Sequence, residues 1–242
     1  MRSLLLLIAP LLATSVSTAV AVIPLPEDCR QMLLVTTAEW SAYQGRLQRF
    51  ERAASGQWRR LGEPMKAQVG SNGLAPGIGL SRIEFRGPPT EKREGDRRAP
   101  AGIFRLTSVF GHETWRNVPP PRTDFRIITP TLEAVDDPKS RYYNQVVDRS
   151  RIAGPDWNSS EKMSTFPEYA AGIVIAHNPA NVPGAGSCIF LHLWRGDRRG
   201  TAGCTVLRDD DLRTLLAWLK LTAKPVLVQL PVAEATRLGF KP

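Results

Sequence analysis

Short apolar runs, separated by Gly, Pro and Asn, dominate the hydrophobic pattern of this chain. Their β-branched and aromatic side chains are typical of strands. Eight strands are predicted: residues 30–37, 45–53, 65–70, 102–110, 125–130, 171–178, 188–194 and 224–231. The pattern therefore predicts a mainly β fold with a few helices.

Helical spacing is clearest in residues 209–220, where three aspartates begin the segment and favour a helix N-terminus. Four leucines fall on one face of this helix, at i, i+3, i+4 and i+7: Leu212, Leu215, Leu216 and Leu219. A second helix is predicted around residues 131–137. The proline-rich stretch 117–124 is predicted to be a stiff loop that either borders a groove or only bridges strands.

The N-terminus has the pattern of a secretory signal peptide over residues 1–21. Arg2 is followed by an apolar run and then by Ala19-Val20-Ala21. Pro10 interrupts the run, which is shorter than the ~20 residues of a spanning helix. We expect an exported protein of the periplasm or cell envelope that meets the membrane only through this peptide before cleavage. Residues 22–242 contain no repeat or Ser/Gly linker and are predicted to form one domain.

The charge pattern excludes some partners. The formal net charge is +9, but the basic residues are scattered and no basic patch carries interleaved aromatic residues, so no nucleic-acid partner is predicted. A carboxylate-rich envelope component suits a basic surface, although such a surface is also typical of simple solvation. The three histidines and three cysteines lack CxxC or HxxxH spacing. We predict no metal or cofactor, and no protein partner can be predicted.

The stretch GSCIFLHLWRGDRRGTAGCTVL, residues 186–207, carries the candidate chemistry. His192 closes an apolar strand and precedes Cys204, which lies in a turn of small residues. A free thiol has a pKa of roughly 8.5, and an imidazole that lowers this pKa or takes the proton makes it an acyl-transfer nucleophile. The alternative interpretation of these residues alone is a buried cysteine and a structural histidine.

Several ordered motifs resemble the catalytic domain of the L,D-transpeptidase family, YkuD type, in its exported single-domain branch. They are EGDRRAPAGIF (94–104), SVFG (108–111), RYYNQVVD (141–148), DWNSSEKM (156–163), GIVIAHNP (172–179), GSCIFLHLW (186–194) and TAGCTVL (201–207). The resemblance implies a β-sandwich-like catalytic domain over residues 22–242 and peptidoglycan stem peptides as substrate.

The resemblance also implies roles for residues. Cys204 would attack the carbonyl that precedes the terminal D-alanine of a stem tetrapeptide, with His192 as base and the Leu193 carbonyl orienting its ring. The N–H groups of Gly203 and Cys204 would form the oxyanion hole. A thioester would follow, and an amine would resolve it by cross-linking, D-amino-acid exchange or protein anchoring.

The chain departs from the family's common signature Ser-His-Gly-Cys-x-Arg, since Thr201-Ala202-Gly203-Cys204-Thr205-Val206 lacks the second histidine and the arginine. Four arginines are candidates to replace the missing guanidinium: Arg195, Arg198, Arg199 and Arg208. Candidate substrate-binding residues are His177, Asn178, Tyr143, Trp194, Thr205 and Arg208. Structural roles are the alternative, such as loop capping by His177, loop anchoring by Tyr143 and packing by Trp194.

The remaining cysteines leave two possibilities. Cys29 and Cys188 either form a disulfide, as exported proteins allow, or Cys188 packs as a small apolar residue. Two other functions also stay open: a cysteine-dependent hydrolase of stem peptides, and a non-catalytic peptidoglycan-binding module in which Cys204 is buried or unreactive.

Overall fold

The computed structural model describes residues 24–117, 124–196 and 199–241. The predicted signal peptide, most of the predicted loop 117–124, and Arg198 lie outside these ranges. Within them, no helix is both long and apolar enough to cross a membrane.

The described chain is mainly β, which confirms the predicted fold class. The strands are β1 (Gln31–Thr37), β2 (Gln44–Arg52), β3 (Trp58–Gln68), β4 (Leu74–Pro76), β5 (Ala99–Gly111), β6 (Phe125–Ile127), β7 (Leu132–Val135), β8 (Gln145–Asp148), β9 (Ser160–Lys162), β10 (Ala171–Ile175), β11 (Phe190–Leu193), β12 (Thr205–Leu207) and β13 (Val226–Pro231). The α-helices are α1 (Glu113–Arg116), α2 (Asp209–Trp218) and α3 (Val232–Arg237). Each of the eight predicted strand segments overlaps a strand.

The main sheet closes on itself. Hydrogen bonds run through β10, β11, β12, β3, β2, β1, β13 and β5 in that order, and β5 also pairs with β10. The thirteen residues of β5 allow this, because its first half pairs with β13 and its second half with β10. A closed ring leaves few unpaired strand edges, and it brings β11 and β12 side by side in parallel.

The core lies under β1 and α2. All seven residues of β1 are buried, and the four leucines predicted to share a face of α2 are buried as well. Gln31 at the start of β1 joins the two elements, since its Nε2 donates to the Trp218 carbonyl at 2.9 Å and its Oε1 accepts from Lys220 N at 2.8 Å. The helix predicted over 209–220 is confirmed, ending at Trp218 with Leu219 packed just beyond it.

The helix predicted around residues 131–137 is wrong. This segment contains β7, the central strand of a separate three-stranded sheet with the order β8, β7, β9. Pairing on both sides satisfies the β7 main chain, and Trp157 Nε1 and Ser160 Oγ each donate to Glu133 at 2.7 Å. These distant partners override the local helical pattern.

Candidate active site

Two adjacent strands bring the predicted pair together. His192 is on β11, and Cys204 directly precedes β12, which runs parallel to β11. The register pairs Leu191 with Thr205 and so places Cys204 beside Phe190. Because side chains alternate along a strand, Phe190, His192 and Cys204 share one face. Since Phe190 lies beside Cys204, the imidazole of His192 is two positions further along β11 than the thiol and on the same surface.

The turn before Cys204 is fastened to the main chain of residues 69–71. Thr201 N donates to the Val69 carbonyl at 3.0 Å, and the Thr201 carbonyl accepts from Ser71 N at 2.8 Å. Gly200 has φ +69°, and a Cβ there would lie 2.5 Å from Ser71 Cα, so only glycine permits this approach. The turn therefore holds Cys204 from the side opposite β11.

Contacts with the ring of His192 fix its orientation. Nδ1 lies 2.9 Å from the Leu193 carbonyl oxygen, the same carbonyl that the resemblance assigns to orient the ring. The Tyr169 ring meets the imidazole edge to face, with centroids 5.1 Å apart. His192 is 7% exposed. Little rotational freedom is left to the imidazole.

The thiol of Cys204 has main-chain neighbours. Phe190 N–H donates to its Sγ at 3.3 Å, and the Cys188 carbonyl lies 3.9 Å from the same sulfur. Cys188 has the left-handed φ of +50°, which is uncommon for a residue other than glycine. Asn144 holds this conformation, because its Oδ1 accepts from Cys188 N at 2.8 Å.

Burial sets the resting protonation of the pair. It raises the pKa of Cys204 to about 12, helped by the negative charge of Glu161, whereas the Phe190 N–H and the positive charge of Lys92 act in the opposite direction. Burial also lowers the pKa of His192 to about 4, against the carbonyls of Leu193 and Glu168. At neutral pH the pair is a thiol and a neutral imidazole, and a neutral imidazole can accept a proton.

A cavity of about 710 Å³ opens over this pair. His192 and Cys204 line it together with charged residues of both signs, which are Lys92, Glu94, Arg97, Asp136, Glu161, Glu168, Arg195 and Arg199. Lys92 is almost fully buried and pairs with Asp96 at 2.6 Å. The cavity can therefore accept a polar ligand that carries both charges.

The predicted oxyanion donor Gly203 is engaged in the turn. Its N–H donates to Thr201 Oγ1 at 3.0 Å, while the same hydroxyl donates to the Cys204 carbonyl at 2.6 Å. The Thr201 side chain therefore bridges the residues on both sides of the Gly203–Cys204 peptide bond. For Gly203 to bind an oxyanion, its hydrogen bond to Thr201 would have to be exchanged or shared.

Only Trp194 among the six candidate substrate-binding residues lines the cavity. Its indole Nε1 is buried without a hydrogen-bond partner in the described part of the chain. Arg208 stacks over this indole at 5.3 Å but is not part of the cavity wall.

The other four candidates are buried in structural contacts away from the cavity wall. His177 Nε2 lies 2.9 Å from the Ala185 carbonyl, and Asn178 bonds to Val182 and Gly186. Tyr143 donates to Glu94 at 2.6 Å, and Thr205 donates to Gln229 at 2.7 Å. The contacts of His177 and Tyr143 are of the kind that their structural alternatives, loop capping and loop anchoring, predict.

The arginine candidates are divided. Arg195 and Arg199 line the cavity, and Arg195 lies 3.9 Å from Glu168. Arg97, which the sequence did not single out, lines it too. Two of the four candidates, together with Arg97, thus remain available to meet a carboxylate in the cavity.

All three cysteines are free. Cys29 is buried in the main core and donates to the Gln31 carbonyl at 3.2 Å, whereas Cys188 packs in the second cluster beside Cys204. The disulfide alternative is therefore wrong for this structure, because the two thiols belong to different clusters. No group of three or more His, Cys, Asp or Glu side chains suited to a metal occurs in residues 24–117, 124–196 and 199–241.

Sequence reasoning did not single out Glu161, Tyr169 or Asp136. Tyr169 donates to Glu161 Oε2 and contacts His192 with its ring. Glu161 could have been found from the DWNSSEKM motif that contains it. Asp136 could not, because it lies in the segment wrongly predicted to be a helix. The three-stranded sheet carries both carboxylates to the cavity.

A β-rich domain with a thiol and an oriented imidazole on neighbouring strands of one cavity has the arrangement of a cysteine-dependent acyl-transfer enzyme. Residues 37–228 match the family model YkuD, the L,D-transpeptidase catalytic domain. The chain therefore belongs to this family. A comparison with curated proteins found no match.

Proposed function

We propose that this protein is an exported L,D-transpeptidase in which Cys204 attacks the carbonyl preceding the terminal D-alanine of a peptidoglycan stem tetrapeptide. The observation that carries the proposal is the placement of Cys204 and His192 on one face of adjacent strands, under an open cavity. A non-catalytic binding module needs neither the oriented imidazole nor a thiol that lines the cavity.

The first half-reaction follows from the neutral resting pair. As Sγ adds to the carbonyl, His192 takes the thiol proton, and a C–S bond forms. When the C–N bond breaks, the imidazolium gives this proton to the leaving amine of D-alanine. The thioester remains on Cys204, and an amine then resolves it.

Substrate carboxylates meet the arginines of the cavity in this proposal. Guanidinium groups pair well with carboxylates, and Arg97, Arg195 and Arg199 all line the cavity. Trp194 lines the same cavity, where its indole can pack against the peptide. The arginines take the place of the one missing from the common signature.

Intact-protein mass spectrometry with a disaccharide-tetrapeptide tests the proposal. We expect a thioester adduct on Cys204 and release of D-alanine. Cys204→Ala should form no adduct, whereas the matched variant Cys188→Ala, which removes a thiol of the same cavity, should still form one. Absence of an adduct and of turnover in the folded wild-type protein would favour the binding module.

Two further measurements address the finer parts of the proposal. Dimer or exchanged stem peptide indicates transpeptidation, whereas free tripeptide alone indicates the hydrolase. If the protein is exported, the protein isolated from the cell envelope should begin after Ala21. Mass spectrometry of its N-terminal peptide measures this, and a retained Met1 would contradict export.

A further inference from the structure

Glu161 presents its carboxylate to the cavity from the three-stranded sheet. It lies on β9, lines the cavity with Cys204, and accepts a hydrogen bond from the hydroxyl of Tyr169. The Tyr169 ring also contacts His192 and Phe190 edge to face. One buried aromatic side chain therefore fixes Glu161 relative to His192 and to Phe190, whose N–H donates to Cys204 Sγ.

The surroundings of Glu161 are acidic although the whole chain is basic. Burial raises the pKa of Glu161 against the hydrogen bond from the Tyr169 hydroxyl, and the negative charges of Asp136, Glu168 and Glu94 act in the same direction as burial. Glu168 forms an ion pair with Arg195, whose Nη1 lies 3.9 Å from its Oε2. By contrast, Oδ1 of Asp136 is buried with no hydrogen-bond partner among the described residues. Burying a carboxylate oxygen without a partner is unfavourable, so a cationic ligand would stabilise this wall.

We propose that Glu161 and Asp136 bind the ammonium group of the acyl acceptor, so that an amine and not water resolves the thioester on Cys204. This inference rests on the proposed function and names the missing second substrate by its chemistry. Glu161 and Asp136 attract the ammonium, and the arginines of the cavity suit a carboxylate beside it. A D-amino acid and the D-centre of a diaminopimelate side chain both carry this pair of groups.

Aminolysis of the thioester redistributes the three protons of the acceptor ammonium. The bound ammonium gives one proton to the Glu161 carboxylate, which later loses it to solvent. The freed amine adds to the thioester carbonyl, the C–N bond forms, and the C–S bond breaks with its electron pair going to Sγ. A second amine proton returns to Sγ through His192, and the third stays on the new amide.

The partition of the Cys204 thioester between reaction with an amine and hydrolysis tests this inference. The wild type, Glu161→Gln and Asp136→Asn are incubated with tetrapeptide donor and either D-methionine, which is cationic at its nitrogen near neutral pH, or hydroxylamine, which is neutral. In both variants we expect the ratio of D-methionine exchange to hydrolysis to fall about ten- to hundredfold, as loss of a charge-assisted contact implies. The ratio of hydroxylamine aminolysis to hydrolysis should change less than about threefold, because neutral hydroxylamine requires no ammonium site.

Matched variants separate this role from a structural one. Glu161→Asp keeps the charge and should restore part of the exchange. Tyr169→Phe removes the hydrogen bond to Glu161 but keeps the ring on His192, and it should lower the ratio of D-methionine exchange to hydrolysis. Glu91→Gln removes an exposed carboxylate outside the cavity, and its ratio of D-methionine exchange to hydrolysis should equal that of the wild type.

Two results would overturn the inference. One is an unchanged partition ratio in Glu161→Gln and Asp136→Asn. The other is an equal loss with hydroxylamine and D-methionine. Failure of the proposed function is distinguishable from both, because then the wild type itself forms no thioester.

With a stem peptide as acceptor, the same variants identify the source of the amine. Loss of dimer in parallel with loss of D-methionine exchange indicates one ammonium site for both acceptors. Loss of exchange alone restricts the site to free D-amino acids.

Discussion

The hydroxyl of Thr201 donates a hydrogen bond to the main-chain carbonyl of Cys204 at 2.6 Å. The same oxygen accepts from Gly203 N–H, so one side chain fixes the turn that presents the thiol. Because both partners are main-chain groups, this contact depends on the Thr201 hydroxyl and not on the side chains of Gly203 and Cys204.

Thr201→Val replaces this hydroxyl by a methyl group of similar size. We expect it to lower the free energy of unfolding by about 1–3 kcal/mol, because the Gly203 N–H and the Cys204 carbonyl lose their partner. The rate of thioester formation should fall with it. Urea unfolding and the acylation rate measure the two effects, and Thr201→Ser should retain most of both. Equal acylation rates in the Val and Ser variants would contradict a positioning role.

Alkylation of Cys204 should report a resting thiol and not a thiolate paired with an imidazolium. Since burial raises the pKa of Cys204 to about 12, its reaction with iodoacetamide should be slow at pH 7 and should rise about tenfold per pH unit up to at least about pH 10. Peptide mapping separates Cys204 from Cys188, and Cys204→Ala provides the blank. A rate that reaches a plateau below pH 8 would show a preformed ion pair.

Lys92 should support both the stability of the site and the reactivity of Cys204. Its Nζ donates to Asp96 Oδ1 at 2.6 Å and to the Arg93 carbonyl at 2.7 Å, and its side chain is 3% exposed. Breaking a buried ion pair by removing one partner costs about 3–5 kcal/mol, and Lys92→Met should lie near the low end because Asp96 is partly exposed.

The same variant should slow alkylation of Cys204, because the positive charge of Lys92 lowers the pKa of that thiol. Arg93→Met is the matched control, as it removes an exposed cation from the neighbouring position. Urea unfolding and the alkylation rate at pH 9 measure the two effects. Similar values for Lys92→Met and Arg93→Met would contradict the prediction.

Thr205 should contribute to the stability of the folded protein and not to binding of the donor peptide. It is fully buried and donates to Gln229 Oε1 at 2.7 Å, while Gln229 Nε2 donates to the Pro100 carbonyl at 2.9 Å. Thr205→Val leaves the Gln229 oxygen without this donor and should lower the free energy of unfolding by about 1–3 kcal/mol. Acylation per folded molecule should stay near the wild-type value. An increased KM for the donor with unchanged stability would instead support the substrate-binding role predicted for Thr205.

Much of the fold could be predicted from the sequence because several strands of the closed main sheet, such as β1 and β13, carry apolar runs. The leucines of α2 and the runs of β1 and β13 have patterns that agree with their final environment. The segment of β7 is short and mixed, and its strand conformation depends on Trp157 and Ser160 bonding to Glu133. Contacts at that distance along the chain leave no local signal.

The difference between a local sequence signal and a contact with distant residues also applies to the site. His192 and Cys204 were recognisable because a motif surrounds each, and Leu193 followed from its position next to His192. His177 and Asn178 also lie in a motif, but hydrogen bonds to Ala185, Val182 and Gly186 occupy their polar atoms. Residue type and spacing do not distinguish a side chain that faces a cavity from one that holds a loop.

Acid should destabilise the protein through its two buried histidines. Burial lowers the pKa of His177 and that of His192 to about 4, from 6.5 for the free side chain. Between these values the unfolded chain binds more protons than the folded one, so stability rises with pH and is lost as the pH falls below about 6.5. From pH 7.5 to pH 5 each histidine should account for a loss of about 2 kcal/mol in the free energy of unfolding.

Urea unfolding at the two pH values measures this loss, and variants assign it. His177→Gln and His192→Gln should each remove about half of the pH dependence, whatever their effect on stability at pH 7.5. The raised pKa of Glu161 acts in the opposite direction, because protonation of a buried carboxyl favours the folded state as the pH falls. A double variant of both histidines that keeps the full wild-type dependence would contradict the assignment. It would show that these two imidazoles can be protonated within the folded protein near their ordinary pKa.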